Sequence, residues 1–440
     1  MTKLKKGSKK LLNAWAFFDW ANSPYTLTIA SAVFPIFYGE LFIETNTIEV
    51  FGFTLKNTVL ISFVTAFAFL VIVISSPILS GIADYIKNKR LFLKFFSYMG
   101  SIGCFGLYWF SLDLIYWSLF TYFLGLWGYW GSLVFYNSYL PDIAYKEQQD
   151  AISAKGFSVG YFGSVLLLLI NLAMVMYPDT FGIEGEQPAI QAMRYSFLSV
   201  GIWWLVFSQY TFYHLPKHNN RTKDIAFKKV LSNGFKELSL VWKQLSQNKR
   251  LKRYLVAFFV YSMAVQTIML MATYFGEQEI LWHSKDEKTL GLIISILIIQ
   301  LVAILGAFLT SKASAQFGNI KTLIGINSIW VCICIYAYFM IEPIHFYVAA
   351  FVVGLVMGGI QALSRSTYSK FLPKTEDSTS FFSFYDITEK IGIILGMLIY
   401  GIVDQYKGMR MSILFLFVFF VIGIVLLLRV PKQEHLIKDI

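Results

Sequence analysis

Runs of about 20 residues with almost no charge recur along this chain, and no other feature restricts its fold as strongly. A helix rises 1.5 Å per residue, so a run of that length matches the roughly 30 Å hydrocarbon core of a bilayer. Leu, Ile, Val and Phe fill the runs without the ten-residue alternation of a barrel strand, which leaves helices as the spanning structure. Only 14% of the 440 residues are charged and 57% are hydrophobic, against roughly 25% and 45–50% in soluble domains. An ordinary cytosolic enzyme and a porin-like barrel are both excluded.

Twelve such spans can be drawn, at about 14–42, 57–83, 92–112, 114–140, 156–177, 192–213, 254–276, 289–312, 321–341, 344–372, 385–404 and 410–430. An even count puts both termini on one side. With the N-terminus inside, the outer segments hold as basic residues only Lys56, Arg194, Lys285, Lys288, Lys407 and Arg410, while the central loop alone holds eleven. Basic residues gather on the cytoplasmic side, so both termini are expected there, in a multi-pass protein of the cell membrane. Met1 to Lys10 is basic and precedes a long apolar stretch interrupted by Asp19, Asn22 and Pro24, which reads as a retained first helix rather than a signal core.

The central loop divides six spans from six, giving an N-terminal half (1–213), a cytoplasmic linker (214–253) and a C-terminal half (254–440). In the linker, Phe227, Leu231, Phe235, Leu238, Trp242 and Leu245 recur at steps of three and four among Lys228, Lys229, Lys236 and Lys243. That is an amphipathic helix, suited either to the inner leaflet or to the underside of the bundle. The halves echo one another, since Asn88 to Pro141 covers 53 residues and Gly318 to Pro373 covers 55, each ending a span on Leu-Pro. A parallel repeat of six helices is the construction of carriers built from two rocking halves.

The formal net charge of +11 is explained by the positive-inside bias and by attraction to anionic membrane lipids, and nucleic acid is not expected as a partner. Cys104, Cys332 and Cys334 all lie in apolar runs, and the i, i+2 pair faces two ways, so neither a disulfide framework nor a zinc site is expected. The five histidines, His214, His218, His283, His345 and His435, stand in loops, tails or span edges. An intramembrane His-dependent enzyme therefore lacks its base or ligands, and no phosphate-binding loop of the Gly-x-x-x-x-Gly-Lys type occurs. No catalytic residue, cofactor or metal is expected. Gly100, Gly103 and Gly106, spaced by three, read as a smooth strip for helix packing, as do Gly156, Gly160 and Gly163.

Gly81 to Arg90 follows the pattern Gly-x-Ala-Asp-x-x-x-x-x-Arg in a tight basic turn between adjacent helices, and there the chain resembles the major facilitator superfamily. Gly81, Asp84 and Arg90 are the expected gating turn, with Asp84 latching the cytoplasmic ends of the two halves; a solvated charged turn is the plainer alternative. The second-half copy is degraded, with Ala315 and Gln316 where an acid and a base should stand. Further motifs, Phe18-Asp19-Trp20-Ala21-Asn22-Ser23, Phe135 to Ala144, Gly156 to Tyr161, and Gly359-Ile360-Gln361-Ala362-Leu363-Ser364-Arg365-Ser366, look like the Atg22-type vacuole effluxer branch. That resemblance implies twelve helices and secondary transport, with fungal members associated with amino-acid release from the vacuole. The chain departs from the pattern at Tyr261-Ser262-Met263-Ala264, where a Tyr-Asn-Asp-Gly type of segment is expected, and at Ser383, where a Gly is expected.

Polar groups inside spans are costly and normally face a cavity or a partner. On the tenth span Gln361, Arg365 and Tyr368 share a face, with Ser364 beside them; on the first, Asp19, Asn22 and Thr26 do the same. Asn137, Gln266, Glu389 and Lys390 complete the set expected to line a polar cavity, although single Asn, Gln and Ser residues equally serve as interhelical hydrogen-bonding groups. Asp19 and Arg365 lie at similar depth, and the resemblance places their helices in opposite halves, so they are expected either to pair as an inner gate or to leave Arg365 for a substrate carboxylate. The expected function is alternating-access transport of a small solute by a monomer, either coupled to protons through Asp19 or Glu389 or running equally well as a facilitated uniporter or effluxer. A lipid translocase or a membrane scaffold is the competing reading.

Overall fold

A computed structural model of the chain describes residues 4–42, 47–216, 227–373, 375 and 377–432. His218, Lys223 and His435 lie outside them. The first span is helix α1 (Lys9–Pro24), a π-helical stretch (Tyr25–Val33) and α2 (Phe34–Glu40). Pro24 lacks the N–H that the preceding turn would use, so the hydrogen-bonding register changes at the residue where it stands. Strands β1 (Thr47–Val50) and β2 (Phe53–Lys56) then form an antiparallel hairpin between the first two spans. Its two-residue turn, Phe51 and Gly52, has φ of 53° and 78°, the combination that matches strand twist. Val50 seats the hairpin against Leu60, Ile115 and Leu119.

Next come α3 (Asn57–Tyr85), α4 (Lys89–Gly106), α5 (Ile115–Ser138), a short α6 (Leu140–Ile143), α7 (Lys146–Met176) and α8 (Pro188–His214). After the linker helix α9 (Phe227–Gln247) follow α10 (Lys249–Glu279), α11 (Lys285–Phe317), α12 (Asn319–Phe339), α13 (Pro343–Phe371), α14 (Ser378–Lys407) and α15 (Met409–Leu428). Among the described residues, eight helices are long and apolar enough by length and composition to cross a bilayer. The first span, α5, α8 and α14 carry more Tyr, Trp, Gly or charge, and with them the spans number twelve in two sets of six. The observed helices overrun several drawn spans, most of all α7, which begins ten residues before the expected 156.

Backbone contacts divide the chain into two compact units, residues 1–139 with 159–236, and residues 140–158 with 237–440. The second unit therefore includes α6 and the first turns of α7 as well as the helices after the linker. Within unit 1, α3 packs on α5, α4 on α5 and α8, and α1 on α8. Within unit 2, α11 packs on α13, α12 on α13 and α15, and α10 on α15. Shifted by six spans these are the same neighbours, so the repeat heard in the sequence is also a repeat of packing.

Both units use glycine where backbones approach. A Cβ on Gly128 of α5 would strike the backbone nitrogen of Gly100 and, at 2.8 Å, the carbonyl of Phe96 on α4; one on Gly358 of α13 would strike the Ala303 carbonyl of α11. The Gly100 strip thus packs helices, as its spacing requires. In the linker helix, Val241 and Leu245 are buried and the Trp242 ring lies 5.4 Å from Phe384, so its last turns pack on the underside of unit 2.

Candidate functional site

In unit 1 the polar interior centres on α1. Asp19 and Asn22 are buried, one helical turn apart, on the face turned toward α5 and the inner part of α7. Tyr136 donates its hydroxyl to Asp19 Oδ2 at 2.8 Å, and its ring stacks on Trp15 with centroids 4.6 Å apart. Trp15 Nε1 in turn donates to the Tyr136 carbonyl at 2.9 Å, so the residue that orients the carboxylate is itself fixed. Gly160 leaves room for this arrangement, since a Cβ there would lie 3.1 Å from that of Asp19. Asn22 differs from its neighbour: its amide nitrogen and oxygen are both buried without a hydrogen-bond partner. Thr26 is half-buried and donates back to the Ser23 carbonyl at 2.8 Å, a bond within its own helix, and Asn137 is half-buried on α5.

The gating turn differs from the sequence expectation in two respects. Gly81 and Asp84 are still helical, because α3 runs to Tyr85 and only Ile86 to Asn88 form the turn. Gly81 is therefore a buried helical position and not a bend. Lys87 takes the positive φ of 53°, and Asn88 caps α4 by accepting from the Leu91 N–H. Asp84 is buried at the end of α3. The anchored base is Lys89, which sequence reasoning passed over: its ammonium donates to the Ser138 carbonyl at 3.0 Å and lies 4.7 Å from the Tyr139 ring centre. Arg90 is half-buried, and its Nε and one terminal nitrogen are buried without a partner.

Unit 2 holds three polar centres. The first surrounds Arg365, buried on α13, whose Nε donates to Ser153 Oγ at 2.9 Å and whose terminal nitrogen donates to the Ser153 carbonyl at 3.0 Å. Ser153 Oγ passes its own proton to the Ala362 carbonyl at 2.7 Å, and the guanidinium lies over the Phe157 ring at 4.3 Å. Ser153 and Phe157 stand four apart on one face of α7, so these turns of α7 form a seat for the fork. Beside it, Ser364 meets the Tyr261 hydroxyl at 2.7 Å, and its carbonyl accepts from Tyr254 at 2.9 Å. Tyr368 donates to the Phe381 carbonyl at 2.6 Å, tying α13 to α14, and Gln361 is half-buried one turn before Arg365.

The second centre lies between α10 and α14. Lys390 donates to Asp386 Oδ1 at 2.7 Å and to Glu389 Oε2 at 3.1 Å, and Gln266 donates to Glu389 Oε1 at 2.9 Å. The third gathers helix ends around Asp150, which accepts from Lys370 and from Ser314 (3.0 Å) on one oxygen and from Asn319 (2.9 Å) on the other. Asn319 also donates to Thr367 at 2.9 Å. Thus Arg365, Ser364 and Tyr368 share a neighbourhood, and Gln266, Glu389 and Lys390 another, while Asp19, Asn22, Thr26 and Asn137 belong to unit 1.

Sequence reading missed Asp150, Ser153 and Asp386. Drawing the fifth span from 156 left out Asp150 and Ser153, which with Phe157 fall at i, i+3 and i+7 on one helical face. Asp386 stood at the drawn edge of its span, although its place four before Lys390 is the spacing of a helical ion pair. Among the described residues no group of three or more His, Cys, Asp or Glu could hold a metal ion.

Comparison with known proteins decides the family. Residues 7–436 match the family described as vacuole effluxer Atg22 like. The chain belongs to that family. The uncharacterized MFS-type transporter YxiO of Bacillus subtilis is 31% identical over 432 residues, covering 98% of this chain and 97% of the relative. Autophagy-related protein 22 of Kluyveromyces lactis is 24% identical over 421 residues, covering 89% and 81%. The Escherichia coli fucose:proton symporter FucP superposes with a TM-score of 0.67 at 14% identity, covering 96% of this chain and 98% of that one. The human organic anion transporter MFSD10 gives 0.68 at 10% identity, covering 95% and 99%. The fold is that of the major facilitator superfamily, and the Atg22-like protein is a multi-pass membrane transporter of the MFS type.

Proposed function

We propose that this Atg22-like protein moves a small polar solute across the cell membrane by alternating access, with free amino acids as the substrate class and both termini in the cytoplasm. The observation that carries the reading is Asn22. A buried amide left without partners costs about 1–3 kcal/mol, and here both of its polar atoms are in that condition, just before the π-helical stretch of the first span. π-Helical turns occur often at functional sites. An amide donor and acceptor held in this way suit a solute that offers both. The planar guanidinium of Arg365, held in unit 2 by Ser153, has the geometry for a carboxylate, and an amino acid supplies one. The membrane and the orientation are supported by the basic asymmetry of the loops and by the bacterial relative.

Ligand-dependent stability tests the substrate class. A ligand that binds only the folded state stabilises it by about 2.7 kcal/mol at a hundred times its Kd. Purified protein screened against amino acids, sugars, organic anions and phospholipids should show a rise in Tm confined to members of the first group. A shift produced by phospholipid alone would favour a lipid translocase instead.

A further inference from the structure

The second polar centre of unit 2 is unbalanced in its hydrogen bonding. Its directly bonded groups are two carboxylates, Asp386 and Glu389, and one ammonium, Lys390, whose side chain is wholly buried. Glu389 is fully served, with one oxygen taking Lys390 and the other Gln266. Asp386 is not. Its Oδ1 accepts from Lys390, while its Oδ2 is buried with no partner, in a residue only 5% exposed. An ionised carboxylate oxygen buried with no donor is the costly arrangement that buried ion groups normally avoid.

We propose that Asp386, Glu389 and Lys390 form a proton-binding site in which the proton is received on Asp386 Oδ2. The step is a proton transfer: an O–H bond of hydronium breaks and one forms on Asp386 Oδ2, leaving a water molecule and a carboxylic acid. Lys390 and Glu389 then remain as a neutral pair held by Gln266, and the open oxygen carries a hydroxyl instead of an ionised lone pair. A metal cation is a poorer occupant. It needs several converging oxygens, whereas the unpartnered oxygen stands beside an ammonium and no metal-type cluster occurs among the described residues.

The other groups facing this centre are Tyr254 and Tyr261 from α10, Tyr368 and Arg365 from α13, and Tyr385 on α14 itself. Tyr261 is bonded to Ser364, Tyr368 to the Phe381 carbonyl, and Arg365 to Ser153, while Tyr385 stacks on Phe258 at 4.2 Å. α15 carries no ionisable side chain from Met411 to Leu428. Tyr254, Tyr261, Tyr368 and Arg365 are thus hydrogen-bonded elsewhere, and Asp386 Oδ2 is the carboxylate oxygen of the centre left open.

Position gives the site its use. At 1.5 Å per residue, Asp386 to Lys390 lie about 12–18 Å from the start of α14, and Gln266 about 20 Å from the end of α10. A proton bound there sits deep within the spans, where its arrival and departure can be tied to movement of a solute. That coupling rests on the transport reading above; the binding of the proton does not.

Infrared difference spectroscopy on the full-length protein in nanodiscs tests the binding without any substrate. As pH is stepped down, wild type should gain the carbonyl stretch of a protonated carboxylic acid, and Asp386→Asn should lose that band while Glu389→Gln keeps it. If Asp386→Asn does not fold, Asp386→Glu in protein carrying 13C-labelled aspartate serves: the band, label-shifted in wild type, should lose its label shift. A band unchanged in Asp386→Asn, or one still label-shifted in Asp386→Glu, would overturn the proposal. So would a band that appears only when sodium is withdrawn, which would assign the site to that ion.

Discussion

Two buried side chains of one span, Asp19 and Asn22, were equally visible in the sequence as polar interruptions of an apolar run, yet the fold treats them differently. Asp19 is bonded to a tyrosine that is stacked and pinned by Trp15, whereas Asn22 has no protein partner. No spacing rule separates them, because the distinction depends on which residue of α5 comes opposite. It yields a prediction that a packing role would not: Asn22→Leu should leave the ligand-free protein as stable as wild type or raise it by about 1–3 kcal/mol, and should weaken ligand binding about tenfold or more, measured by thermal unfolding and ligand titration. A loss of stability with unchanged affinity would make Asn22 structural. Arg365 gives a second test. Lysine keeps the charge but loses the planar fork, so Arg365→Lys should fail to restore transport, whereas full rescue would reduce the residue to a point charge.

At the scale of elements, the apolar runs were legible because the bilayer imposes their length, and each drawn span has its helix. What escaped was whatever extends beyond the hydrocarbon. The first turns of α7 read as a polar loop, because Asp150 and Ser153 satisfy Lys370 and Arg365 on α13, far along the sequence. The hairpin escaped because eight strand residues carry too little pattern. Gly81 belongs to the expected gating turn, while the helix simply continues through it. The glycine strip was readable, since small residues three apart on an apolar helix have few other uses, and it is sharply testable. Gly128→Val would push a side chain into the backbone of Gly100 and Phe96, which cannot yield as a flexible side chain would. A cost of about 1–3 kcal/mol or more is expected, seen as a lower Tm, while Gly401→Val, which meets nothing within 4 Å, should be nearly neutral. Equal losses in the two variants would remove close packing as the explanation.

For the whole molecule, the repeated neighbour relations of the two units and the match over residues 7–436 make the family and the major facilitator fold secure. The proposed topology rests on the basic asymmetry. In intact cells, a cysteine at Lys223 should be protected from an impermeant reagent and one at Glu186 should react, with the native Cys332 replaced; the reverse pattern would invert the map. Substrate class is the least legible property, since on the proposed reading it depends on a few side-chain atoms such as those of the Asn22 amide. The most direct measurement is therefore transport itself. Proteoliposomes carrying the full-length protein should accumulate or release at least one radiolabelled amino acid faster than protein-free vesicles, with the rate lowered at least tenfold by Asn22→Leu. Rates equal to protein-free vesicles across the amino-acid panel, from protein shown to be folded, would contradict the account.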